Sequence, residues 1–234
     1  MPDSGDCQAA LDPNFVETVG VLNSHGIPYW ACHGTLLGLV RDGRLIPWDH
    51  DVDIALWTDA IPKGSLIDLM AANGFSLKDD GADYDFVAFT KEGGRTVDFN
   101  YYHACPDSGM AYSEWFIIRS KFAALFDLLA NRSEYHGRWS AVVRRLYFLR
   151  PLARIMVSLL KWSGLLYRSA GYTTPVCLLE EFEPLEIAGV AVRVPCRREA
   201  ILEYVYGNDW RLPKQKYDWT KESPATRVSD SRFQ

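Results

Sequence analysis

The segment Asp49-His50-Asp51-Val52-Asp53-Ile54-Ala55-Leu56 constrains this chain more than any other. Acids at alternate positions, running into apolar residues, predict an extended strand. Asp49, Asp51 and Asp53 then share one face, while Val52 and Ile54 point to the other. Three carboxylates on one face of an otherwise buried strand repel one another and lose hydration. A divalent cation is the economical compensation. Oxygen ligands suit Mg²⁺ or Mn²⁺, which bind through one or two carboxylates plus substrate phosphates. The plainer alternative is a solvated acidic edge strand or turn, since Asp-x-Asp pairs are common in loops.

The residues upstream favour the site. Pro28–His33 reads as a short strand, and Gly34-Thr35-Leu36-Leu37-Gly38-Leu39-Val40-Arg41 as a helix that Asp42-Gly43 closes. Backbone N–H groups and a hydroxyl at a helix N-terminus make a ready phosphate site, here Gly34 and Thr35. Arg41 and Arg44 can add charge-assisted contacts to the same phosphates. A plain helix cap is the alternative. Asp98, within Thr96-Val97-Asp98-Phe99-Asn100, lies on an apolar strand where an unpaired carboxylate is costly. Beside the acidic strand it can complete a metal site or accept a proton; otherwise it is a strand residue facing solvent.

The remaining pattern predicts an α+β domain, α/β-like in its alternation: a small mixed β-sheet flanked by helices. A helix starts at Asp12-Pro13 and ends near Gly26, another runs Leu66–Asn73, and Tyr84–Lys91 and Arg95–His103 form a hairpin about Glu92-Gly93-Gly94. Residues 120–170 are helical in pattern, Ala188–Val194 alternates as a strand, and Arg198–Tyr206 reads as a short helix. We therefore expect one domain over 1–234, with a helical insertion at about 120–178 and a loose polar tail at 220–234.

A net charge of -5 argues against general nucleic-acid binding. The 5 cysteines are widely spaced with no Cys-x-x-Cys pair, which disfavours a disulfide framework or structural zinc and suits a reducing cytosol. The polar, acidic opening predicts no secretory signal, so the expected location is cytoplasmic. Between Tyr135 and Leu179 there is no Asp or Glu but there are Arg138, Arg144, Arg145, Arg150, Arg154, Lys161 and Arg168. On a helix over 151–168, Arg154, Lys161 and Arg168 form one face, with Leu152, Ile155, Met156, Leu159 and Leu166 opposite. The expectation is that this apolar side packs into the protein's own core; the alternative is peripheral contact with anionic lipid on the cytoplasmic membrane face.

Taken in order, His33-Gly34-Thr35-Leu36-Leu37-Gly38, Arg41, and Ile46-Pro47-Trp48-Asp49-His50-Asp51-Val52-Asp53-Ile54 resemble the signature of the LicD and fukutin-related family. Phe182–Leu185, Val194-Pro195 and Tyr206-Gly207-Asn208-Asp209-Trp210 resemble its closing segment. The resemblance implies a nucleotidyltransferase-type fold. It also implies metal-dependent transfer of phosphocholine or an alditol phosphate from a CDP-activated donor to a glycan or lipid-linked glycan acceptor. By position, Asp51 and Asp53 resemble the metal-binding pair, Asp49 a supporting carboxylate, Asp98 the third acid, and Gly34-Thr35 the phosphate loop. His50 stands where many relatives carry a further acid. Transfer of an NMP group, and an inactive binding module with the same fold, are the rival readings. Trp30, Trp48, Tyr101, Tyr102 and Trp210 could cage a choline, although core packing explains most of them better.

Overall fold

A computed structural model of the chain describes residues 11–80, 85–118, 125–126, 128–130, 140–163 and 167–229. Its centre is strand β2 (Asp51–Trp57), whose Val52, Ile54, Ala55 and Leu56 are completely buried. β1 (Trp30–Ala31) lies antiparallel on one side of β2. On the other side β5 (Thr96–Cys105) runs parallel to it, in a register that sets Asp51 beside Thr96 and Asp53 beside Asp98. The first half of β5 also pairs with β4 (Phe86–Thr90), and β3 (Ser76–Asp79) follows outside β4. The second half pairs with β6 (Met110–Ile118), then β7 (Tyr167–Pro175), then β10 (Thr226–Ser229). A separate hairpin joins β8 (Phe182–Ile187) to β9 (Val190–Pro195). The result is a mixed sheet flanked by helices, an α+β fold.

The helices fix the sheet from both ends of the sequence. α1 (Pro13–Ser24) is capped by Asp12, whose carboxylate accepts from Asn14 N and Phe15 N. The other oxygen of Asp12 accepts from Arg95 N, and the Asn14 side-chain amide donates to the carbonyls of Lys91 and Arg95. These bonds clamp the β4–β5 turn onto α1 and hold the start of β5 in register. Helix α2 (His33–Asp42) ends at Gly43. A Cβ on Gly38 would meet the backbone of Arg44 and Ile46 at 2.6–2.9 Å. Glycine there lets the chain turn back close over the helix and carry Asp49 to the start of β2. α3 (Lys63–Ala72) buries Leu66 and Met70, and α6 (Arg198–Tyr206) buries Ile201, Leu202 and Val205 in the same core.

Three expectations are corrected. β2 begins at Asp51, so Asp49 sits in the preceding bend rather than on the pleat. The stretch 120–178 is not helical to its end. Helices α4 (Ser140–Arg145) and α5 (Arg150–Ser163) occupy its middle, after which β7 returns to the sheet and pairs along all of β6. Arg168 is therefore on β7, outside the helical stripe. The tail carries secondary structure through Ser229: α7 (Trp219–Glu222) leads into β10, whose backbone pairs with β7. Edge pairing of this kind is made by backbone groups, which side-chain pattern does not report. Residues 230–234 lie outside those described.

Candidate active site

A cleft of about 640 Å³ opens over the carboxyl-bearing face of β2 and the N-terminus of α2. Its acidic wall carries Asp49, Asp51, Asp53 and Asp79, with Asn100 beside them. An aromatic wall completes the lining: Trp115, Tyr172, Tyr206, Trp210 and Tyr217, with Lys214 and Gln215 among them.

The acidic wall is built by the two parallel strands. Residues in register on neighbouring strands share a face, so Asp53 and Asp98 lie side by side and Asp51 is two residues along. Asp53 is held tightly. Its backbone N–H donates to Thr35 Oγ1 at 2.8 Å, its carbonyl accepts from Cys32 N at 3.3 Å, and Asn100 Nδ2 reaches its Oδ1 at 3.4 Å. Burial, then the charges of Asp51, Asp98 and Asp49, push the Asp53 carboxyl well above the usual carboxylate range. Burial and the hydrogen bond and charge of Asp51 push Asp49 up to about 6. Burial, then Asp51, push Asp98 up to about 7, against the favourable charge of Lys78. Asp98 Oδ1 is buried without a hydrogen-bond partner among the described residues. A buried, orphaned carboxylate oxygen beside two further acids is a deficit of positive charge.

Each expected site residue has a definite place. Gly34 lines the cleft, and a Cβ there would collide with the Asp49 carboxylate, so only glycine lets that acid close on the backbone. Thr35 is 3% exposed and uses its hydroxyl to tie α2 to β2, a structural contact that the sequence reading did not include. Arg41 lines the cleft but is engaged bidentately by Asp42, at 2.9 and 2.7 Å. Arg44 follows the helix with its side chain exposed and is not among the cleft-lining residues; neither is Asp98. The turn into α2 falls at His33, which adopts φ 47°, a left-handed conformation uncommon outside glycine. His33 packs on Tyr172 at 4.1 Å between ring centroids, and burial lowers its pKa to about 4, so the imidazole stays neutral.

Tyr172, Tyr206, Tyr217, Lys214 and Asp209 carry no expected site role. They come from β7, the end of α6 and the segment beyond it, distant in sequence from the acids. Tyr206 packs tilted against Tyr217 with ring centroids 5.2 Å apart and Trp115 against Tyr172 at 4.9 Å, while Lys214 pairs with Asp209 at 3.1 Å. The aromatic density of 204–219 was the available signal.

Comparison with known proteins meets this geometry at the acidic wall. The family described as LicD/FKTN/FKRP, nucleotidyltransferase domain, matches residues 26–126, which include β1, α2, β2, β4 and β5. Residues 26–126 are thus similar to the nucleotidyltransferase domain of that family. The ribitol 5-phosphate transferase FKRP of Mus musculus is 38% identical over 74 residues, 32% of this chain and 15% of that protein. The human ribitol-5-phosphate transferase FKTN is 23% identical over 233 residues, covering 93% of this chain and 40% of that protein. The chain thus spans well under half the length of either relative.

The matched segment supplies Asp49, Asp51, Asp53, Asp79 and Asp98 and the α2 N-terminus. The aromatic wall, except Trp115, comes from residues beyond the matched segment. As the side chains stand, no three His, Cys, Asp or Glu residues among those described are arranged to enclose a metal ion. The acids do fit an ion that takes one or two carboxylates and completes its shell with substrate phosphate oxygens and water.

Proposed function

We propose that this chain transfers a phosphorylated small molecule, an alditol phosphate before phosphocholine, from a CDP-activated donor to a hydroxyl of a glycan or lipid-linked glycan. The observation that carries this reading is the cluster of Asp49, Asp51 and Asp53 lining a cleft beside the N-terminus of α2, with Asp98 in register next to Asp53. The names of the relatives, both ribitol phosphate transferases, favour the alditol donor.

Mg²⁺ or Mn²⁺ held by Asp51 and Asp53 would neutralise charge on the donor's diphosphate. Asp98 supports the set from beside Asp53. The N–H groups at the start of α2, with Gly34 at the cleft, are oriented to bind phosphate oxygens, and Arg41 can exchange Asp42 for phosphate at the other end of the helix. The acceptor hydroxyl attacks phosphorus. Its new O–P bond forms as the bond to the CMP oxygen breaks, and CMP departs. Asp49 lines the cleft whereas Asp98 does not, so Asp49 is better placed to take the hydroxyl proton. Positioning and charge neutralisation supply most of the acceleration in such transfers. The aromatic wall offers stacking surface for the nucleoside base or the acceptor sugar.

The test is incubation with labelled CDP-ribitol, CDP-glycerol, CDP-choline, CTP and ATP, each with Mg²⁺ and with a chelator. Release of CMP with movement of the alditol phosphate is expected, and only with the metal. Movement of the nucleoside monophosphate would assign the chain to NMP transfer. Turnover unchanged by chelation would remove the metal from the mechanism, and failure of every donor to bind would leave a binding module.

A further inference from the structure

Helix α5 turns its apolar stripe away from the protein. Ala153 and Val157 are buried in a small cluster with Leu129, Ala130 and Val143. Leu152, Ile155, Leu159 and Trp162 are instead 57%, 59%, 53% and 87% exposed, and Phe148, just before the helix, is 75% exposed. Spacings of three, four and three residues put them along one side of the helix, in a strip roughly 15 Å long. Arg150 and Arg154 explain the orientation. Both donate through Nε to the Ala130 carbonyl at 3.3 Å, and Arg154 also approaches Asp80 at 3.7 Å. The charged side of α5 is tied to the protein body, which leaves the apolar side outermost. This reverses the expectation that Leu152, Ile155 and Leu159 enter the core. A contiguous strip of large apolar groups is a contact surface rather than a packing remainder.

Charge identifies its occupant. From Tyr135 to Leu179 the chain has 7 Arg and Lys and no Asp or Glu. Arg144 and Arg145, on α4 just before Phe148, are exposed. A second copy of this chain would bring the same cations against these. An anionic bilayer surface instead accepts a convex apolar strip into its acyl boundary and meets the flanking cations with phosphate headgroups. No described helix is long and apolar enough to cross a membrane. We propose that α5 docks along the surface of an anionic phospholipid bilayer, with Leu152, Ile155, Leu159 and Trp162 in the interface and Arg144 and Arg145 at the headgroups.

The test is co-sedimentation of the whole chain with phosphatidylcholine vesicles and with vesicles containing phosphatidylserine, at low and at physiological salt. Retention on the anionic vesicles should exceed that on neutral ones by about tenfold and fall as salt rises. Tryptophan emission should shift to the blue on vesicle addition, and Trp162→Phe should abolish the shift. Ile155→Ser with Leu159→Ser should release the protein while leaving its melting temperature and far-UV spectrum unchanged, since both side chains are solvated. Arg144→Glu with Arg145→Glu should weaken anionic retention alone. The proposal fails if anionic vesicles retain nothing at low salt, or if the double serine variant binds undiminished. It also fails if the strip proves to mediate a concentration-dependent dimer that the serine variant dissolves.

Discussion

Strand β2 and helix α5 carry their apolar side chains in equally regular patterns, and the two patterns end in opposite places. Val52 and Ile54 are sealed in the core while Asp51 and Asp53 face the cleft; Leu152, Ile155 and Leu159 face outward while Arg150 and Arg154 bond the Ala130 carbonyl. Periodicity reports which residues share a face, and not what that face meets. In β2 the matter is settled by neighbours on both edges, since β1 and β5 fix the pleat. A helix held at one side by the Ala130 carbonyl and a five-residue cluster has no such constraint.

The comparison can be broken first at the acids. Asp53→Asn should lower phosphotransfer by about three orders of magnitude or more, because it removes the charge that organises the diphosphate. The fold should survive, and chelated protein should melt no lower than wild type, since a repelling carboxylate has gone. Near-normal turnover would overturn the site.

The core and helix faces can be set against each other directly. Ile54→Ala should cost about 2–5 kcal/mol in denaturant unfolding, as a buried truncation that leaves a cavity. Leu159→Ala should stay within about 0.5 kcal/mol, as a substitution of a solvated side chain. Equal losses would mean that the α5 strip is packed in solution.

Gly34→Ala sharpens the account of the acidic wall. The new methyl group and the Asp49 carboxylate cannot both keep their positions. Activity should fall by about tenfold, with smaller loss of stability, since the acid can swing into the cleft at the expense of near-attack geometry.

The smallest effect is on pH dependence. Without metal, folded Asp49 and Asp98 titrate at about 6 and about 7, whereas unfolded aspartates release their protons near pH 4. The folded state therefore holds more protons across that interval. The stability these groups contribute is complete below about pH 4 and is lost as pH rises through 6 and 7. The melting temperature of the chelated protein should drop by several degrees from pH 5 to pH 8, and Mg²⁺ should restore more at pH 8 than at pH 5. A flat profile with chelator would contradict the crowding of these carboxyls.

Much of the acidic wall was legible without coordinates, because it is local. Asp51 and Asp53 are two residues apart on a strand, Gly34 and Thr35 open the helix beside it, and a strong alternating pattern carries both. Asp98 was legible only as a carboxylate out of place on an apolar strand; its partner depended on strand pairing. The strands β6, β7 and β10 were not legible, since Tyr167–Pro175 and Thr226–Ser229 hold their places by backbone pairing and carry no clean alternation. The tail read as loose for the same reason.

The sequence alone determined which residues are acids on one strand face, where α2 begins and ends, and that a dense run of cations lacks any acid. Those are properties of nearest neighbours and helical or strand period. Only the tertiary structure decided that Asp53 and Asp98 sit in register and that Thr35 serves the frame. It alone brought residues 205–217 over the acids as an aromatic wall and left the apolar strip of α5 outside. Each of these depends on which surfaces meet across long loops, and that outcome belongs to the whole chain's packing rather than to any segment.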